Sequence, residues 1–85
     1  MLIPSMKAFH LGHLLPNQSA EISQIDAELG LQQRLYALGF RQGQRIEVLR
    51  RAWLSGPLHV RLGTTEVMVR RRDANCIHLV QSPAA

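Results

Sequence analysis

Apolar positions along the chain follow two different periods, and the change between them falls at one place. In RLYALGFRQGQRIEVLRR, residues 34–51, the apolar residues before Gly39 recur at helical spacing and those after Gly43 alternate as on a strand. Leu31, Leu35 and Leu38 stand at i, i+4 and i+7, one stripe of a short helix. Gly39 suits the left-handed position just past a helix end, and Phe40 beyond it can fold back onto Leu35. So short a helix is marginal alone in water, so its leucines must be held by packing, as a plug or lid on a sheet.

The same alternation marks the strands. Pro16-Asn17 reads as a turn, after which Ala20 and Ile22 face a core and Glu21 and Ser23 face water, a strand over residues 20–25. From Arg45, Ile46 and Val48 point inward and Glu47 outward until Leu49, Arg50 and Arg51 break the period, as a bulge does. Ser55-Gly56-Pro57 reads as a turn and Gly63-Thr64-Thr65 as a hairpin loop. Between them Leu58, Val60 and Leu62 alternate with His59 and Arg61, and Val67 and Val69 continue the pattern after the loop. Residues 71–75 suffice for a single helical turn; beyond it Ile77 and Leu79 point inward and Cys76, His78 and Val80 outward. Residues 81–85 should fray, leaving one domain over residues 1–80. About five short strands around one short α-helix, set between the first two core strands, leave no room for a parallel βαβ unit. The expected fold is mainly β, a small and strongly bent antiparallel barrel.

Composition narrows the class without changing that outline. A chain of 85 residues has room for one modest core, and with 46% apolar and 19% charged residues it is too apolar to stay disordered. Cys76 is its single cysteine, which excludes an internal disulfide and favours the cytoplasm. No apolar run approaches the ~18 residues of a membrane span, and MLIPSMKAFH carries neither a basic n-region nor a continuous apolar h-region. The expectation is a chain neither inserted nor exported. Its formal charge of +4 rests on nine arginines and Lys7, which favours anionic partners.

Chemistry is sparse. Gly39-x-x-x-Gly43 lacks the Lys-Ser/Thr that would complete a phosphate loop, and the six carboxylates are scattered, none paired with a histidine at catalytic spacing. The chain is not expected to be an enzyme, and no cofactor is required. His10 and His13 at i, i+3, or Cys76 and His78 at i, i+2 on a strand, could each start a surface or dimer-bridging zinc site. Equally, the two histidines could be solvated beside Leu11 and Leu14, and Cys76 a half-buried small apolar group. Closed zinc-finger spacing is absent.

Arg61 and Arg70 should lie outward on neighbouring strands with Arg71 and Arg72 beside them, giving a basic patch. It suits the acidic face of a protein or an anionic membrane surface; it could also be a solvated face neutralised by Glu47, Glu66 and Asp73. A nucleic-acid-binding barrel is the alternative, but it wants aromatic platforms among the arginines, and of Phe9, Tyr36, Phe40 and Trp53 only Trp53 lies beside them. Trp53 with Leu54 reads either as an anchor for a partner or as closure of the barrel end. On the helix, Tyr36 lies off the leucine stripe, and with Gln32, Gln33 and Arg41 it would form a rigidly placed docking platform.

One long motif is specific. Arg34-Leu35-x-x-Leu38-Gly39-Phe40-x-x-Gly43 runs into Ile46-Glu47-Val48-Leu49-Arg50-Arg51-Ala52, then Gly56-Pro57-Leu58, and a hairpin closes on Arg70-Arg71. This resembles the FeoA family, the small cytosolic SH3-like proteins of bacterial ferrous iron uptake, and is similar to the C-terminal SH3-like domain of iron-dependent repressors. The resemblance runs over residues 11–80 and makes Gly39, Phe40 and Gly43 its structural turn. It implies an SH3-like barrel and a non-enzymatic accessory of the FeoB transporter, docking on that transporter's cytoplasmic GTP-binding portion. It also implies a cytoplasmic location; the arginine patch adds the option of a position peripheral to the inner membrane face, and a homo-oligomer is a further option that the sequence does not decide. The family usually has glycine where this chain has Asn17, a residue that tolerates the left-handed conformation. Cys76 and His78 fall outside the family pattern.

Overall fold

The strand alternation read from the sequence translates into burial almost residue by residue. Ala20, Ile22, Ile46, Val48, Leu58, Val60, Leu62, Val69, Ile77 and Leu79 all point into one core, and every buried side chain among the described residues is apolar. The computed structural model describes residues 7–81. Its strands are β1 (Lys7–His10), β2 (Ser19–Ile25), β3 (Arg45–Arg51), β4 (Leu58–Leu62), β5 (Thr65–Val69) and β6 (Ile77–Gln81). They form one antiparallel sheet in the order β1-β6-β2-β3-β4-β5. A 3₁₀ turn, Leu11–His13, follows β1; helix α1 (Leu29–Leu38) joins β2 to β3, and the single turn α2 (Arg71–Ala74) joins β5 to β6.

The fold is mainly β with one short helix between the core strands, as expected, but the described residues form six strands where the pattern predicts about five. Lys7–His10 is too short to show a period, and it exists because Phe9 and His10 pair with Leu79 and His78 of β6. That pairing also places Gln81 in β6, opposite Lys7. The rest of the expected tail, residues 82–85, lies outside the described residues, as do residues 1–6.

Two bulges bend the sheet. One is the expected break in β3, where the register against β4 shifts between Val48 and Arg50; the other shifts β2 against β6 between Ile22 and Gln24. An extra residue on one strand increases local twist, which curls a six-stranded ribbon around its core. The Pro16-Asn17 turn is present: Asn17 sits at φ 70° and its N–H donates to the Val48 carbonyl at 2.8 Å. Leu11 and Leu14, beside the two histidines in sequence, are core residues.

Helix α1 ends in a Schellman arrangement. Gly39 has φ 110°, its N–H donates to the Tyr36 carbonyl at 3.0 Å, and the Phe40 N–H donates to the Leu35 carbonyl at 3.0 Å. The reversal drops Phe40 into the core, fully buried, above a buried Leu35. The leucine stripe is less complete than its spacing implied: Leu31 is half-buried and Leu38 is 45% exposed. Because Phe40 fills the interior at this corner, Leu38 is left at the rim instead of closing the barrel.

Candidate functional site

Tyr36 of α1 and Arg41, two residues past the Gly39 cap, share one corner. Tyr36 is exposed, and the Arg41 guanidinium lies 5.9 Å from its ring centroid while donating to the Tyr36 carbonyl at 3.4 Å. The two side chains therefore form one amphipathic unit beside the Gly39 turn. Gln32 is not part of that exposed face. It is half-buried and its side-chain amide donates to the Ile25 carbonyl at 3.2 Å, tying the helix to the end of β2, whereas Gln33 is exposed. On the opposite flank Leu38 borders a groove with Met68 of β5, which is 58% exposed.

The expected single basic patch splits in two. Arg61 lies in a mixed-charge cluster on β3, β4 and β5, 3.6 Å from Glu47 and 3.5 Å from Glu66, and Glu66 also meets His59 at 2.9 Å. These exposed pairs neutralise one another and contribute little to stability. Arg70, Arg71 and Arg72 leave the far end of β5, where Val69 pairs with Leu58, and so stand apart from Arg61. Arg51 serves the fold instead, since its Nη1 donates to the Gly12 carbonyl at 2.9 Å and to the Leu14 carbonyl at 2.6 Å. Nothing in the local sequence signals that contact, which spans 37 to 39 residues. Trp53 does not close the barrel end; it is 91% exposed, beside Leu54 at 96%.

The candidate metal donors come together in part. His10 and His13 stack with ring centroids 3.7 Å apart and planes 27° from parallel, and His10 faces His78 across the β1–β6 pair. Stacked rings direct their in-plane lone pairs side by side, away from a common ion. Cys76 lies in the turn before β6 and not on the strand, its Sγ 3.9 Å from the Arg72 carbonyl. Burial first, then Asp73 and Asp26, push its thiol above the usual range, which disfavours the thiolate a metal needs. His78 sits 3.8 Å from Asp26. Among the described residues no three His, Cys, Asp or Glu side chains are arranged to hold an ion.

The histidine cluster has a consequence for stability. Burial, with His13 and His78 adding to it, holds the His10 imidazole below its ordinary value, so the unfolded chain binds a proton that the folded chain resists. The stability His10 contributes is complete above the ordinary histidine pKa and is lost as pH falls through the lower folded value. Thermal melts should therefore drop between about pH 7 and pH 5, and His10→Gln should flatten part of that drop. An equally steep fall in the variant would assign it to groups other than His10.

Comparison with known proteins fits this geometry. The FeoA domain model matches residues 9–81. No curated protein sequence matches the chain. Among solved structures, iron(II) transport protein A from Clostridium thermocellum superposes with a TM-score of 0.80 at 28% identity, over 87% of this chain and 45% of that one. This chain thus spans under half the length of that relative. FeoA from Stenotrophomonas maltophilia, solved with zinc and described as an SH3 domain protein and a candidate activating factor of ferrous iron transport, gives 0.73 at 23% identity, over 89% and 99% of the chains. A manganese-dependent transcriptional repressor gives 0.81 at 21% identity, over 93% of this chain and 44% of its own. The SH3-like fold is common to all of them.

Proposed function

Because the chain belongs to the FeoA family, we propose that it is a non-enzymatic accessory of ferrous iron uptake that docks on the cytoplasmic GTP-binding portion of the FeoB transporter. The observation that carries this reading is the capped corner of α1. Tyr36 and Arg41 lie against each other beside a left-handed glycine turn, which supports a surface in place before any partner arrives. Preformed aromatic and arginine side chains lose little entropy on docking, and these residue types dominate interface energetics. The candidate activating role of the Stenotrophomonas relative supports the same reading.

The stacked histidines and the protonated thiol supply no three-donor set, so a metal held here would take donors from a second copy.

The test is titration of the isolated GTP-binding domain with the wild-type chain and with Tyr36→Ala or Arg41→Ala. Both side chains are exposed, so circular dichroism and melting should match wild type, while the dissociation constant should rise about tenfold for each. Unchanged affinity in both variants would remove the helix corner as the interface.

A further inference from the structure

The turn between β3 and β4 is built against local preference. Leu54 at φ 56° and Ser55 at φ 63° are its central residues, closed by the Gly56 N–H donating to the Trp53 carbonyl at 3.1 Å. The turn thus sits one residue earlier than Ser55-Gly56-Pro57 suggested. Two successive positive φ values are the hairpin geometry that favours Asn-Gly, and a leucine there is strained. The strain gains no burial, since Trp53 and Leu54 are the two most exposed large apolar residues described. What it does is thrust an indole and an isobutyl group off the end of the sheet.

Three arginines stand at that same end. Leu58, the first residue of β4, pairs with Val69, the last of β5, so residues 52–57 and 70–72 leave the sheet side by side. Ser55 and Asn75 line one open cleft with Arg70, Arg71 and Arg72. Among the described residues no carboxylate comes within ion-pair distance of these three side chains, in contrast to Arg61.

We propose that the β3–β4 tip, Trp53 and Leu54, together with Arg70, Arg71 and Arg72, is a docking surface for an anionic lipid bilayer. Tryptophan settles at the headgroup level of a membrane, where its apolar ring and its N–H are both accommodated. Uncompensated guanidinium groups beside it meet lipid phosphates with charge-assisted hydrogen bonds. A protein partner fits less well, because two side chains on a convex tip cover far less than the roughly 800 Å² per partner of a stable interface. Single-stranded nucleic acid wants several stacking rings, and the tip has one. This surface is separate from the α1 corner and does not depend on the transporter reading.

The test uses the full chain alone, with vesicles of phosphatidylcholine and vesicles in which part of it is replaced by phosphatidylglycerol. Trp53 is the only tryptophan, so its emission reports the tip directly. The expected result is a blue shift and co-sedimentation with the anionic vesicles only, weakened by added salt. Arg70→Gln and Arg72→Gln should each cost about fivefold in binding. Leu54→Ser, which keeps the reporter, should lose about as much, and Tyr36→Ala should bind vesicles as wild type does. Equal binding to neutral vesicles, no shift, or an unaffected double arginine variant would overturn the proposal. So would displacement by millimolar inorganic phosphate at constant ionic strength, which marks a free-phosphate site, or a Trp53 response to an RNA homopolymer but not to vesicles.

Discussion

Phe40→Ala is expected to destabilise the protein by about 3–5 kcal/mol, the largest loss any single side chain here should cause. Phe40 is fully buried and is the largest enclosed side chain among the described residues. Its backbone N–H also closes the Schellman arrangement on the Leu35 carbonyl, so the ring fixes the angle at which α1 meets β3. Alanine would leave a cavity under a helix too short to stand alone. Against a total stability of roughly 5–15 kcal/mol for a domain of ordinary size, and the lower end for one this small, most of the reserve would be gone. Urea denaturation measures it; Phe40→Leu, which keeps most of the volume, should cost less than half as much. A Phe40→Ala midpoint close to wild type would show that Leu38 or Met68 collapses inward to fill the site.

The second large effect belongs to Arg51. One guanidinium nitrogen holds two backbone carbonyls, Gly12 and Leu14, and so fastens the turn after β1 to the bulged end of β3. Arg51→Met keeps the apolar stem but leaves both carbonyls without this donor. The expected cost is about 2–3 kcal/mol, typical for hydrogen bonds to a charged group in a partly buried setting. Amide exchange should quicken first at Leu14, whose N–H closes the 3₁₀ turn, and across β1, an edge strand with one neighbour. Arg51→Lys should recover part of the loss. A Met variant as stable as wild type would mean that water satisfies both carbonyls at no cost.

These two residues differ in how far the chain announces them. Phe40 was legible because its role follows from local geometry: a glycine at a helix end and an apolar residue after it are a recognisable stop. Arg51 stands in the sequence only as one of the residues that break the strand period, and the approach of a loop nearly forty residues away turns it into a clamp. The remaining arginines divide for the same kind of reason. Alternation correctly put Arg61 outward on β4, but pairing in register with Glu66, and the neighbouring Glu47, made it a neutral partner. Arg70, Arg71 and Arg72 meet no such carboxylate among the described residues, so three adjacent positive charges stay uncompensated at that end.

What the sequence determined by itself was the set of inward and outward positions on β2 to β6, the corner at Gly39, the bulge in β3 and the family, because each depends on spacing along the chain. Tertiary structure decided the rest: the sixth strand, the core role of Leu11 and Leu14, the exposure of Leu38 and Trp53, and the side-by-side histidines. Those features depend on which segments the bent sheet brings together, and a period of two fixes which face a residue is on but not what stands across from it.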